Sequence, residues 1–162
     1  MTENKLYIQA FKISRFENKQ IAAAIGISGY GKHSLYLLNM NNWTSRRINQ
    51  GTSASKVFWS PSDQYLVVLC SYEGNWFINI NLTNGNVIDN CYLQNPKNKD
   101  LWRLDGEPSW IDGTDKLRFG VKEFCNYDNR DCRGPDGNKV LAVYDVRLDA
   151  ATLNISYSKK KQ

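Results

Sequence analysis

A strand-like pattern recurs along this chain of 162 residues, and it constrains the fold more than any other feature of the sequence. Residues 36–48 align without a gap on residues 76–88, at an offset of 40 residues. Self-similarity at such a period is typical of architectures whose units bury their apolar faces only against their neighbours. The recurrence therefore predicts a repeated β unit, which favours a binding surface over an enzyme. Three identities mark the alignment: Asn39 with Asn79, Asn41 with Asn81, and Ile48 with Ile88.

A strand–turn–strand pattern also occurs twice. Residues 57–68 hold two β-rich runs separated by a turn of Ser, Pro and Asp, and residues 108–119 repeat the plan with Trp110 at the position of Trp59. This turn resembles the one that joins the first two strands of each blade in TolB-type and WD-type β-propellers. The first copy lacks the usual glycine at its place, and the second copy lacks the proline. The resemblance implies an architecture and no catalytic residues.

The resemblance implies an all-β fold of antiparallel sheets, with about three propeller-like blades in one domain. Helix patterns are nearly absent, and only residues 98–104 are expected to accommodate a helical turn. Three blades do not close a propeller, so the open edges require a partner, a second copy or a twisted sandwich-like arrangement to cover them. The expected ranges are 1–162 for the domain, 6–50, 56–93 and 108–157 for the repeats, and 158–162 for a basic tail.

The residue inventory argues against the common kinds of catalytic and metal site. His33 is the only histidine, so a hydrolase triad or a histidine-containing metal site would have to use this one residue. The four cysteines include no Cys-x-x-Cys pair, although Cys125 and Cys132 bracket a loop and would form a disulfide in an oxidising compartment. We therefore expect no enzyme activity, no bound metal and no cofactor.

The net charge of +5 is concentrated at one end of the chain. Without Lys159, Lys160 and Lys161, 18 basic residues face 16 acidic ones. A terminal basic cluster is usually a solvated end, so nucleic acid is not the expected partner. The sequence has no apolar run of membrane-spanning length and no export signal at its start, which predicts a cytoplasmic protein without a membrane partner.

Residues 99–115, the acidic-aromatic segment, hold five carboxylates and two tryptophans within seventeen residues. Aromatic rings supply desolvated contact area and carboxylates pair with Lys or Arg, so this segment predicts a contact with a basic partner. For Trp102 a core position is the open alternative. The loop between Cys125 and residue 138 is a second candidate surface. The predicted partner-binding residues are Asp100, Trp102, Asp105, Glu107, Asp112 and Asp115 in the segment, and Tyr127, Asp128 and Asp131 in the loop.

These observations predict a non-enzymatic protein-binding module. In size and residue inventory the chain is similar to small bacterial immunity proteins, including those of contact-dependent growth inhibition. That similarity implies a cytoplasmic inhibitor that blocks the active site of a cognate toxin, and a basic active site such as that of a nuclease would match the acidic-aromatic segment. The alternative is a homodimer in which two copies complete a six-bladed ring and bind a peptide or glycan.

Overall fold

The computed structural model describes residues 11–16, 19–27, 33–48, 54–71, 75–97, 101–124 and 139–161. These residues form twelve β-strands in three four-stranded antiparallel sheets, and they include no helix. In each sheet four consecutive strands lie side by side in chain order, so every connection is a hairpin. The predicted all-β fold with about three blade-like sheets is confirmed, and the sheets do not close into a ring.

The strand bounds are as follows. The first sheet contains β1 (Phe11–Phe16), β2 (Lys19–Ile27), β3 (His33–Asn39) and β4 (Thr44–Arg47). The second sheet contains β5 (Ala54–Trp59), β6 (Tyr65–Ser71), β7 (Asn75–Asn81) and β8 (Val87–Tyr92). The third sheet contains β9 (Leu101–Trp110), β10 (Lys116–Phe124), β11 (Val140–Asp149) and β12 (Ile155–Lys159).

The second sheet is buried on both faces. Five consecutive residues of β6, from Leu66 to Cys70, are buried, as a strand covered on both sides requires. Leu66, Val68 and Cys70 belong to a core shared with the first sheet, whereas Val67 and Leu69 belong to a core shared with the third. Because side chains alternate along a strand, one continuous apolar run supplies two separate cores.

The third sheet is buried on one face only. Along β10 the buried residues alternate with exposed or half-buried ones, and β11 shows the same alternation. Leu117, Phe119 and Val121 pack toward the second sheet, and the opposite face, which we call the outward face, carries charged residues such as Arg118 and Asp145. This alternation is typical of an antiparallel sheet with one face in water.

Two predicted boundaries were wrong. The third sheet begins at Leu101 and not near residue 108, so most of the acidic-aromatic segment is its first strand, and the helical turn expected over residues 98–104 is replaced by strand from Leu101 onward. The pairing of Trp102 with Glu123 and of Leu104 with Val121 explains this, because cross-strand packing overrides a weak local preference. Ser158 and Lys159, expected in a basic tail, lie in β12.

The structural repeat has a different offset from the one read in the sequence. Strand β3 begins at His33 and the equivalent β7 begins at Asn75, which gives an offset of 42 residues instead of 40. A shift of two residues keeps every side chain on its own face of the sheet, so an apolar pattern matches at either offset. The turn residues of the hairpins that follow β3 and β7 distinguish the offset of 42 residues from the offset of 40.

The first two strands of the third sheet come close at Gly120. The pairing of β9 with β10 shifts between Arg118 and Gly120, and Gly106 in the bulged stretch has a φ of 95°. A Cβ placed on Gly120 would lie 2.8 Å from the backbone oxygen of Asp105, which is closer than van der Waals contact permits. The bulge therefore requires glycine at this position.

Gly120→Ala should lower the free energy of unfolding by roughly 1–3 kcal/mol, because the backbone of β9 must move away from the new methyl group. The measurement is chemical denaturation followed by tryptophan fluorescence. Ser109→Ala, on the same strand as Asp105 but exposed, is the matched control and should change the free energy by less than about 0.5 kcal/mol. A Gly120→Ala protein as stable as the wild type would contradict the close approach.

Candidate functional site

The acidic-aromatic segment lies in β9 and in the turn between β9 and β10, where its residues have different surroundings. Trp102 has only 1% of its surface exposed, and its ring packs on Tyr144 and Tyr157 with centroid distances of 5.2 and 5.1 Å. Its indole nitrogen has no hydrogen-bond partner among the residues that the structure describes. The core alternative is therefore the one observed, and the prediction that Trp102 offers its ring to a partner is wrong because the ring is enclosed.

Three of the predicted acidic residues bind groups of this chain. Asp105 forms an ion pair with Lys122 at 2.7 Å, on the outward face of the third sheet. Glu107 forms an ion pair with Lys56 of β5, and Asp115 accepts hydrogen bonds from the backbone nitrogen and the hydroxyl of Ser62 at 3.1 and 2.7 Å. Glu107 and Asp115 thus join the third sheet to the second, and any basic partner would compete with these internal contacts.

The other predicted residues divide into two groups. Asp112 is exposed at the tip of the β9–β10 turn and makes no ion pair in the part of the chain that the structure describes. Asp100, Tyr127, Asp128 and Asp131 lie outside the described residues. The structure therefore leaves Asp112 as the one carboxylate of the described segment with no internal partner.

A groove that the sequence reasoning missed lies between the first and second sheets. We call it the rim groove; it has a volume of about 300 Å³. Most of its apolar residues belong to the core between these sheets or pack on it, so the groove opens that core to solvent; they are Ile21, Leu37, Ile48, Ile80 and Leu82. The lining consists of Ile21, Leu37, Leu38, Asn39, Thr44, Ser45, Arg46, Ile48, Ile80, Asn81, Leu82 and Gly85.

One edge of the rim groove is the hairpin turn between β3 and β4, which carries Trp43. The side-chain oxygen of Asn39 accepts a hydrogen bond from the backbone nitrogen of Asn41 at 3.0 Å, and that of Asn42 accepts one from the nitrogen of Thr44 at 3.2 Å. Trp43 follows with a φ of 57° and 78% of its surface exposed. The two asparagines therefore fix a tight turn that holds a large aromatic ring in water.

The same turn occurs in all three sheets. In each sheet, an Asn or Asp ends the third strand, and its side-chain oxygen accepts a hydrogen bond from the backbone nitrogen two residues later at 2.9–3.0 Å. When this Asn or Asp is counted as the first residue of the turn, the fifth residue has positive φ. The left-handed conformation costs an ordinary residue roughly 1–2 kcal/mol, whereas glycine adopts it freely. The pairs of first and fifth residues are Asn39 and Trp43, Asn81 and Gly85, and Asp149 and Leu153.

The three sheets differ in what compensates the backbone strain at this fifth residue. Gly85 has no side chain to strain, and Leu153 is 7% exposed within the core between the second and third sheets. Trp43 has neither compensation, because its ring is in solvent and adds little to the core. Strain that folding does not explain is a reason to look for function at that residue.

The surroundings of the rim groove combine cationic and apolar groups. All four residues of β4 are exposed, and they include Arg46 and Arg47. Arg46 extends toward the β7–β8 turn, where its Nη1 lies 3.4 Å from the Cβ position of Gly85, and Arg47 donates a hydrogen bond to the hydroxyl of Ser34 at 2.7 Å. Val87, next to that turn, is also exposed. This arrangement suits an amphipathic partner with an apolar side chain and a negative charge.

Two features are absent from the described ranges, a cluster of metal ligands and a membrane-spanning helix. No group of three or more His, Cys, Asp and Glu residues is placed to hold a metal ion there. No helix long and apolar enough to cross a membrane occurs in the same ranges.

Comparison with known proteins supports the fold. No protein-family model matches the chain, and no curated protein matches it. Among solved structures, an oligogalacturonate lyase in complex with manganese superposes with a TM-score of 0.50 at 12% identity, over 100% of this chain and 50% of the lyase. An uncomplexed acylaminoacyl peptidase of Pyrococcus horikoshii superposes with a TM-score of 0.57 at 12% identity, over 99% of this chain and 26% of the peptidase.

These neighbours are β-propeller proteins, so the chain has a propeller-like fold. The chain spans about half of the lyase and about a quarter of the peptidase. At such low identity the likeness extends to the arrangement of strands and to nothing in a site.

Asp115→Ala should lower the free energy of unfolding by about 1 kcal/mol, because the nitrogen and hydroxyl of Ser62 lose a charged acceptor and the second and third sheets lose a link. Asp112→Ala, in the same turn, is the matched control and should leave stability unchanged. Urea denaturation measures both. Equal effects of the two substitutions would show that the contact with Ser62 contributes nothing.

Proposed function

We propose that this chain is a non-enzymatic protein-binding module whose contact surface is the rim groove together with the turn that carries Trp43. The single observation behind the proposal is the conformation and exposure of Trp43. A tryptophan that is strained and 78% exposed adds little to folding. Tryptophan is also the residue type most often found to dominate the energy of protein–protein contacts. A partner would remove this ring from water and so compensate the strain.

The rim groove supports the proposal because it supplies a receptor for a side chain beside the ring. Its volume of about 300 Å³ is large enough to take one or two side chains of a partner, and its walls include Ile21, Leu37 and Ile80. Arg46 lines the same groove and can pair with a carboxylate of that partner. The apolar walls would provide most of the affinity and the arginine would set the orientation.

Within this class, our specific proposal is a cytoplasmic inhibitor that covers the active site of a bacterial toxin. The support for it is the residue inventory, which has a single histidine and no Cys-x-x-Cys pair. Since Asp105, Glu107 and Asp115 are already paired within the chain, the rim groove is a better candidate for the toxin contact than the acidic-aromatic segment. The proposal predicts a toxin gene beside the gene for this chain, and co-expression of the two should restore the growth that the toxin alone stops.

The alternative of a self-completed ring requires the outward face of the third sheet to pack on the first sheet of a second copy. That outward face carries ion pairs such as Arg118 with Asp145, whereas the facing surface of the first sheet would present the half-buried side chains of Tyr36 and Leu38. Charged groups packed on apolar ones lose hydration without gaining partners. The chemistry of these faces does not favour the ring.

Sedimentation equilibrium should therefore give the mass of a monomer at low micromolar concentration. The physical reason is the mismatch between the two faces that a ring would bring together. A stable dimer at that concentration would support the ring in place of the inhibitor.

Trp43→Gly should weaken binding of the purified partner by about 2 kcal/mol or more, as measured by titration calorimetry. The free energy of unfolding should stay unchanged or rise by up to about 1 kcal/mol, because glycine relieves the positive φ at this turn. The partner is first obtained by capture on immobilised wild-type chain and then purified for the titration.

Leu153→Gly is the matched control, since it makes the same change at the equivalent position of the third sheet. Here the buried side chain is lost, so stability should fall by roughly 2–4 kcal/mol while the affinity of the folded protein stays unchanged. Affinity that is insensitive to Trp43→Gly would remove the turn from the contact surface.

A further inference from the structure

We propose that the outward face of the third sheet holds a binding site for a small oxyanion, a carboxylate or phosphate group, centred on Arg147. This site is separate from the rim groove and does not depend on the proposed function. Three features of Arg147 support the site: its position in the repeat, its missing counter-charge and the clefts that surround it.

The repeat shows that Arg147 replaces a residue of the sheet-to-sheet contact. Counting back two residues from the Asn or Asp that opens each hairpin gives Leu37, Asn79 and Arg147 in the three sheets. Leu37 packs on the core between the first and second sheets, and Asn79 is buried against the third. Arg147 occupies the same place on a face with no further sheet in the described chain, and it is exposed.

The charge of Arg147 is uncompensated. Its direct cross-strand neighbour is Arg118, and like charges at directly opposite positions destabilise a sheet. Arg118 is neutralised by Asp145, whose two carboxylate oxygens lie 3.0 and 3.1 Å from its Nε, and this contact raises the pKa of Arg118. Arg147 makes no ion pair within the described ranges.

Two adjoining clefts flank Arg147, and Ser156 also lines both of them. One has a volume of about 560 Å³ and includes Lys116, and the other has a volume of about 250 Å³ and includes Ser158. Guanidinium, ammonium and hydroxyl groups are all donors, and they converge on the same surface. Both clefts therefore offer hydrogen-bond donors to an oxyanion.

Each cleft is also lined by one acidic residue, Asp149 in the larger and Asp145 in the smaller, and both carboxylates already have partners. One carboxylate oxygen of Asp149 accepts from the backbone nitrogens of Ala151 and Thr152 and from the Thr152 hydroxyl, and the other lies 4.0 Å from Lys116. Asp145 is held by Arg118. Since each of these acids has a cation beside it, the guanidinium of Arg147 has no carboxylate of its own, and its planar fork matches a carboxylate or phosphate.

The test uses the full chain titrated with sodium phosphate and, separately, with sodium glutarate, at constant ionic strength set by sodium chloride. Nuclear magnetic resonance would follow the side-chain signals of Arg147 and the backbone signals of β11 and β12. We expect saturable shifts with at least one of the two anions. The two arms separate a phosphate ligand from a carboxylate ligand, because the stronger binder identifies the group.

Arg147→Gln should weaken the saturable binding by about 10- to 100-fold, which corresponds to the loss of a charge-assisted hydrogen bond. Arg103→Gln removes another exposed arginine from the same sheet, outside both clefts, and should bind the anions like the wild type. Thermal unfolding of both variants checks that they fold. Absence of saturable binding by the wild type, or equal binding by the wild type and Arg147→Gln, would overturn the proposal.

Discussion

The burial of the second sheet on both faces is the constraint on which the rest of this structure depends. The alternating side chains of β6 reach into two cores, one toward the first sheet and one toward the third. Neither outer sheet has another apolar support in the described chain. The positions of the rim groove and of the outward face follow from this, because the groove lies where the first core reaches solvent and the outward face lies where the series of sheets ends.

The sequence was sufficient for the parts of the fold in which local pattern and tertiary packing agree. The continuous apolar run Leu66 to Cys70 indicates a strand buried on both faces, and the alternation along β11 indicates a half-exposed strand. Strand β9 could not be predicted in the same way. Its middle contains Asp105, Gly106, Glu107 and Pro108, which are typical of a connection, and only the bulge against Gly120 accommodates them in a strand.

The candidate site was less accessible to sequence reasoning than the fold. Acidic residues interleaved with tryptophans suggested a contact surface, but the ring of Trp102 is enclosed and Asp105 and Glu107 pair with lysines that are distant in the sequence. The sequence also marks Trp43 as unusual, but an alignment at an offset of 40 residues does not place it opposite Gly85. Aligned on the turns, Trp43 corresponds to Gly85, and a bulky residue at a position suited to glycine is unusual enough to be noticed.

The charged outward face also governs how copies of this chain can meet. If Arg118, Asp145 and Arg147 were uncharged, like their counterparts in the first two sheets, the third sheet of one molecule could pack on the first sheet of another. Contacts of that kind run head to tail and, where the rotation does not close, produce open filaments. Burying the three charged side chains against another copy would cost hydration, so this face disfavours such stacking.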